Sequence, residues 1–203
     1  MILERALQRS LNGNTFQGRR TTVKAQPRYR ISQMISMVSV LIVYDTQTGN
    51  TEKMAQHVAK GAKSTSQAKV FLKRARDTTL QDLQNADVII VGSPTYYGLM
   101  SAAVKDLFDR SVKIHGKLEG KVGAAFTSSG GTASGAETTI LSILQAMLVH
   151  GMIIQGRHGS KHYGAAAVGS PDDQDITDCE HLGKRAVQLA SLVKSQASAE
   201  KHA

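Results

Sequence analysis

The sequence predicts an α/β protein built on a doubly wound, five-stranded parallel sheet with helices on both faces. Two observations carry this. Apolar, β-branched runs alternate five times with segments whose apolar residues recur at helical spacing, all within 203 residues. Three loops rich in Gly, Ser and Thr, at 45–51, 93–100 and 129–135, each follow an apolar strand and so share one sheet edge. In parallel sheets ligands bind beyond the carboxyl ends of the strands, where the winding reverses.

The first strand, Val38–Val43, is apolar at nearly every position, as a strand covered on both faces requires. The loop Thr46-Gln47-Thr48-Gly49-Asn50-Thr51 follows at once, and Met54, Val58 and Ala62 mark the buried stripe of a helix beyond it. Ala68–Leu72 reads as a short strand near an edge, flanked by Lys69, Lys73 and Arg74. Asp77–Asn85 is a polar connection of about one helical turn. Asp87–Gly92 is the next fully apolar strand, and it runs into Ser93-Pro94-Thr95-Tyr96-Tyr97-Gly98. A helix from Ser101 to Val112 is expected to bury Val104, Leu107, Phe108 and Val112. Lys121–Ser128 is the fourth strand, and its loop Ser129–Gly135 leads to a helix opened by Glu137 that carries Ile140, Leu144, Met147 and Leu148. Met152–Gln155 is a short fifth strand, and His158–Asp173 reads as irregular. Ile176–Lys194 closes as a helix with Leu182, Ala186, Leu189 and Val193 inward.

Charge and composition bound the function. The net charge is +9, but residues 1–36 hold seven basic residues against Glu4 alone, so most of the excess lies outside the strand–helix body. That gives no electrostatic case for a nucleic-acid surface. Residues 1–36 are expected to form a disordered basic extension, either transit-like in composition or upstream of a true start near Met34 or Met37. The folded domain is expected over 37–197, with 198–203 as a tail. No apolar run is long enough to span a bilayer. The single cysteine, Cys179, excludes an intramolecular disulfide and CxxC chemistry, and a reducing, cytoplasmic setting is expected. His158 and His162 with Asp172, Asp173 and Asp175 lack metal-ligand spacing, so no metal site is expected.

The 46–51 loop lacks the GxxxxGK[ST] pattern and holds no Lys or Arg. Hydroxyls, amides and the dipole of the helix it opens suit a terminal phosphate monoester. The competing reading is a polar turn with Thr51 as helix N-cap.

The three loops together resemble those of the flavodoxin-like fold, which implies the strand order 2-1-3-4-5. More closely, TGNTEKMA (48–55), GSPTYYGLMSAAVKDLFDR (92–110), GKLEGKVGAAFTSSGG (116–131), ETTILSIL (137–144), HGMII (150–154) and YGAAAVGSPDD (163–173) are similar to the NAD(P)H:quinone oxidoreductases once called tryptophan-repressor-binding proteins. That resemblance implies an FMN-dependent oxidoreductase passing electrons from NAD(P)H to a quinone, assembled as a homo-oligomer (dimer or tetramer). It implies that Thr46, Gln47, Thr48, Gly49, Asn50 and Thr51 cradle the FMN phosphate. Pro94, Thr95, Tyr96, Tyr97 and Gly98 would lie along the isoalloxazine edges, with backbone amides at 95–98 donating to the ring. Ser129, Gly130, Gly131 and Thr132 would line the ribityl chain and ring, with Ala133 and Ser134 nearby. Tyr97 and His150 are the substrate candidates, a core position or helix-end capping being the competing reading for His150. Two positions depart from the family: Tyr96 stands where it has an arginine, and Val149 where it has a histidine over the flavin. No side chain is expected to act as acid or base, since the flavin carries the chemistry. The rival functions are a one-electron carrier for a redox partner and a binding module on the same fold that has lost its flavin.

Overall fold

The structure is a computed structural model that describes residues 37–200, with side chains to 197; the basic extension assigned to 1–36 and the last three residues lie outside the described residues. Strands β1 (Val38–Tyr44), β2 (Ala68–Arg74), β3 (Val88–Pro94), β4 (Val122–Ser129), β5 (Ile153–Ile154) and β6 (Ala165–Val168) alternate with helices α1 (Asn50–Lys63), α2 (Leu80–Asn85), α3 (Ala102–Ser111), α4 (Ala136–Val149) and α5 (Asp173–Glu200). All strand pairs are parallel, in the order β2-β1-β3-β4-β5, with β6 also on β4. The strand order expected from the sequence is thus the order found.

Alternation along β1 shows why the sheet is covered on both sides. Val38, Val40, Ile42 and Tyr44 face a core shared with Met54, Val58 and Ala62 of α1 and Leu182, Ala186 and Val187 of α5. Leu41 and Val43 face the opposite core, with Leu83, Val104, Leu107, Ile140 and Met147 of α2, α3 and α4. Each fully buried aliphatic side chain of this kind contributes about 1.5–3 kcal/mol relative to exposure. Neither face tolerates a charge, which is why the strand reads as an unbroken apolar run.

Four details differ from the sequence reading. The fifth strand position is filled by two segments: β5 pairs with Val122 and Gly123 at the start of β4, and β6 pairs with Phe126–Ser129 at its end. β6 hides in the sequence because GAAAV has almost no side-chain bulk to signal a strand; its strandedness comes from pairing with β4. Val112 falls past the end of α3, in a single 3-10 turn at Val112–Ile114, and is exposed. Phe108 is only half-buried. The closing helix runs from Asp173 to Glu200, beyond the expected Lys194 and through the first residues assigned to a tail; KSQASAE contains no Gly or Pro to stop it. Cys179 is fully buried on α5, and burial pushes its thiol up to about 12, so it is an inert core residue.

Among the described residues, no helix is long and apolar enough to cross a membrane, and no group of three metal-ligating side chains comes together.

Candidate functional site

The connection from β1 leads outward to β2 on one side, whereas β3 leads to β4 on the other, so the winding reverses between β1 and β3. Register places the strand ends side by side: Tyr44 opposite Gly92, and Pro94 opposite Ser128. The loops after β1, β3 and β4 therefore emerge together at one edge, which brings 46–51, 94–98 and 129–134 into one cluster.

The first loop is shaped for an anion. Thr46 is buried, and its Oγ1 accepts from the Gly49 amide at 3.0 Å, pulling the loop into a tight curl. Gly49 is the residue before α1; its φ of 90° lies in the left-handed region, and no side chain caps the helix. Lys53 N–H donates to the Gly49 carbonyl, while the amides of Gln47, Thr48, Asn50 and Thr51 make no hydrogen bond among the described residues. Contrast α2, whose start is closed by a reciprocal Thr79–Asp82 capping box, and α3, capped by Ser101. The two helices that open at this edge behind a left-handed glycine, α1 after Gly49 and α4 after Gly135, have no such side-chain acceptor. Thr51 is not the N-cap: it is buried within the first turn, its Oγ1 2.8 Å from Ser128 Oγ. That bond ties the start of α1 to the end of β4.

Nearby charges are already engaged. Glu52 accepts from Tyr44 Oη at 2.8 Å and pairs with Arg74 at 3.3 Å. Burial raises the Tyr44 phenol, and the Glu52 carboxylate raises it further, so it stays neutral. Lys53 Nζ donates to the Pro171 carbonyl. A phosphate placed here would meet free amides and hydroxyls at a helix start, with no Lys or Arg of the described loop residues among them.

The second loop corrects one expectation. Of the amides at 95–98, Thr95 N–H donates to the Ser128 carbonyl at 2.8 Å and Tyr96 N–H to Leu99 at 3.2 Å. Only Tyr97 and Gly98 keep amides without a bond among the described residues. Tyr97 is held at φ 51° with its ring fully exposed, and Gly98 follows at φ 74°. Such a backbone is strained for a tyrosine, and it leaves those two amides without a protein acceptor among the described residues. Burial and the nearby Asp45 carboxylate raise the Tyr96 phenol above its ordinary range.

In the third loop Ser129 is buried and Gly130, Thr132, Ala133 and Ser134 are exposed. Hydroxyls of Ser129 and Ser134 both donate to the Gly131 carbonyl, at 3.1 and 2.6 Å, which fixes the loop's turn. A Cβ built at Gly130 or Gly131 meets nothing within 4 Å, so this side of the cluster is open. Gly135, at φ 96°, sits so close to the second loop that a Cβ there would lie 2.6 Å from Gly98 Cα. The residues present thus fit FMN: a cation-free phosphate cradle, two free amides beside an aromatic loop, and a small-residue loop opposite.

His150 does not belong to this cluster. It is the C-cap of α4, and α4 runs from the loop edge to the opposite edge of the sheet. There it is buried, with Nε2 2.7 Å from Ser111 Oγ and its ring 5.8 Å from that of His115. Burial, then the neighbouring His115, pushes the imidazole below its ordinary range. Its backbone N–H closes the end of α4, and its side chain is a core group packed on Ser111 and His115. Val149 stands at the same far end, exposed.

Sequence reasoning missed the groups beneath the loops. Thr127 Oγ1 donates to the Ser93 carbonyl at 2.6 Å and lies 3.0 Å from Thr95 Oγ1, and Ser93 Oγ accepts from the Ser101 amide. Their signal was hydroxyls at the ends of otherwise apolar strands, where aliphatic side chains would serve the core better.

Comparison with known proteins agrees with this geometry. A family described as NADPH-dependent FMN reductase matches residues 66–163, which include the second and third loops. A protein named flavodoxin from Aquifex aeolicus is 38% identical over 164 residues, covering 77% of this chain and 89% of that protein. A protein named NAD(P)H dehydrogenase (quinone) from Archaeoglobus fulgidus is 36% identical over 189 residues, covering 76% of this chain and 98% of that protein. One of the same name from Methylocella silvestris is 31% identical, covering 78% and 100%. Among solved structures, a flavodoxin described as WrbA-like from Agrobacterium tumefaciens superposes with a TM-score of 0.63 at 25% identity, covering 75% of this chain and 97% of that one. A flavodoxin from the domain Archaea gives 0.62 at 26%, covering 75% and 99%.

Proposed function

We propose a function from one premise: this chain belongs to the flavodoxin-like family of FMN oxidoreductases of the WrbA type. It passes two electrons from NAD(P)H to a quinone or a similar small acceptor. The observation that carries this reading is the asymmetry of the loop cluster. Of the three loops, only the second supplies aromatic rings, Tyr96 and Tyr97, whereas 130–134 is exposed at every residue but the half-buried Gly131 and holds nothing larger than Thr132. A ring bound between them keeps one face uncovered, where a nicotinamide and then a quinone can stack in turn. A carrier that hands single electrons to a protein partner has no need of such a face.

FMN, when bound, supplies hydride acceptance from NAD(P)H and return of the electron pair to the acceptor. The chain's own residues do the rest. Thr46, Gln47, Thr48, Gly49, Asn50 and Thr51 would hold the phosphate through amides, hydroxyls and the positive end of α1. The Tyr97 and Gly98 amides would donate to the ring edge and favour electron density there. Ser129, Gly130, Gly131 and Thr132, with Ala133 and Ser134, would border the ribityl chain and the open face. Pro94, buried at the end of β3, and Thr95, bonded to Thr127 and Ser128, would set the height of the second loop. Among the described residues no Asp, Glu, His, Lys or Arg side chain lies in 46–51, 94–98 or 129–134, so proton exchange falls to solvent at the open face.

Steady-state kinetics with NADPH and benzoquinone test the reading. One face used in turn predicts parallel double-reciprocal lines and competitive inhibition of each substrate by the other at high concentration. Intersecting lines would place donor and acceptor together on the protein and contradict it.

A further inference from the structure

The two ends of the second loop meet at one atom. β3 ends at Pro94 and α3 begins at Ala102, and residues 95–101 between them carry the free amides of Tyr97 and Gly98. Ser93 Oγ donates to the Pro94 carbonyl at 2.8 Å and accepts from the Ser101 amide at 2.8 Å. The entry and the exit of the loop are thus joined through a side chain with no exposure to solvent. The Ser93 carbonyl in turn accepts from Thr127 Oγ1 at 2.6 Å. That uses the only proton of the Thr127 hydroxyl, so the Thr95 hydroxyl, 3.0 Å away, is the donor of their pair.

The join governs where the tip of the loop sits. Tyr96 and Leu99 exchange both backbone bonds, at 3.2 and 3.0 Å, around Tyr97 at φ 51° and Gly98 at φ 74°. Two left-handed residues inside a bonded pair make a two-residue hairpin turn, which moves as one piece. The bond from Thr95 N–H to the Ser128 carbonyl, at 2.8 Å, secures its entry. On the exit side, the ties to α4 are long: Met100 N–H to Ser142 Oγ at 3.2 Å and Thr139 Oγ1 to the Leu99 carbonyl at 3.4 Å. The bond from Ser101 to Ser93 is shorter than either. A hydroxyl in a fully buried strand position costs free energy unless it is bonded, and both bonds of this one go to the ends of the loop.

We propose that Ser93 is a positioning residue of the site: its hydroxyl clasps the second loop at its base and so sets where the Tyr97 and Gly98 amides meet the ring. The role at the ring rests on the FMN reading above, whereas the hold on the loop does not. Donors fixed in place before charge develops favour the charged state most, so the clasp matters more to reduced FMN than to oxidised FMN.

The test compares Ser93→Ala with Ser111→Ala in the full chain. Ser111 is also fully buried and also carries two bonds, to the Phe108 carbonyl and His150 Nε2, but it lies at the opposite edge of the sheet. Ser93→Ala should weaken oxidised FMN at least tenfold and reduced FMN by a further tenfold, which lowers the midpoint potential of the bound flavin by about 30 mV. Ser111→Ala should change neither. In the flavin-free protein, hydrogen exchange at the Tyr96 and Leu99 amides should quicken at least tenfold in Ser93→Ala and stay at the wild-type rate in Ser111→Ala. Thr127→Val removes the donor to the Ser93 carbonyl, keeps the side chain's shape and is expected to move potential and exchange in the same directions, so the reasoning is testable even if Ser93→Ala folds poorly. Unchanged exchange in both loop variants, an unchanged potential, or equal losses in Ser111→Ala would overturn the proposal. Wild-type protein that binds no FMN would refute the flavin reading instead, and the exchange rates alone would then decide whether Ser93 holds the loop.

Discussion

Gly135→Ala separates the geometry of the loop cluster from ordinary backbone strain. Gly135 is left-handed, at φ 96°, and its missing Cβ would lie 2.6 Å from Gly98 Cα and 3.3 Å from Gly98 N. Gly116 is also left-handed, at φ 80°, but a Cβ there meets nothing within 4 Å. Both alanine variants carry the left-handed cost of about 1–2 kcal/mol, offset by about 0.4–1 kcal/mol from a stiffer unfolded chain. Gly135→Ala alone must also push two backbone segments apart, an overpacking cost of about 1–3 kcal/mol. Urea unfolding of the flavin-free protein should therefore show Gly135→Ala less stable than Gly116→Ala by about 1–3 kcal/mol. The displacement moves Gly98, which bears one of two amides free to meet the ring, so FMN affinity should fall at least tenfold in Gly135→Ala and stay unchanged in Gly116→Ala. Fluorescence quenching of FMN measures it. Equal losses of stability, or an unchanged affinity in Gly135→Ala, would refute the contact between the second and third loops as a determinant of the site.

Gly49→Val places a β-branched residue at φ 90° before α1, where open space leaves strain and the ligand as its only obstacles; flavin affinity is expected to drop by about 1–3 kcal/mol, read by the same quenching. Tyr97→Ala should lower kcat/KM for quinone more than Tyr97→Phe, because the exposed ring acts through shape and not through its hydroxyl. His150 is buried and its imidazole is held below the ordinary value by burial and His115, so the unfolded chain binds its proton more readily. Its contribution is present above the unfolded pKa of about 6.5 and is lost as pH falls below it, towards the depressed folded value. Urea midpoints at pH 7.5 and 5 should accordingly differ more in the wild type than in His150→Gln. A chain beginning at Met37 is expected to melt with the full-length protein and to bind FMN stoichiometrically, since residues 1–36 are rich in Arg and Lys and show no sustained hydrophobic period with which to cover a core.

The strands that carry the site were legible because they are buried on both faces, and a two-sided burden leaves an uninterrupted apolar run. The three loops were legible for the opposite reason: Thr46, Gly49, Gly130 and Gly131 have no use in a core. β6 was not, because Ala165, Ala166 and Ala167 owe their conformation to β4 and not to their own propensity. Nor could spacing place His150, which follows Val149 in sequence yet lies a helix length away from the loop that opens α4. The commitment of the Thr95 and Tyr96 amides to Ser128 and Leu99 depends on a register between segments that no local pattern encodes. Thr51 paired with Ser128 across 77 positions is the same kind of fact.

Anaerobic mixing of the FMN-loaded protein with NADPH or NADH, followed by benzoquinone, tests two-electron transfer at an open flavin face most directly. The predicted result is bleaching of the flavin absorbance by at least one nicotinamide in a single step, then full recovery by one equivalent of quinone. If neither nicotinamide bleaches it while a one-electron donor reduces it in two separate steps, the protein is a carrier and the reductase reading is wrong.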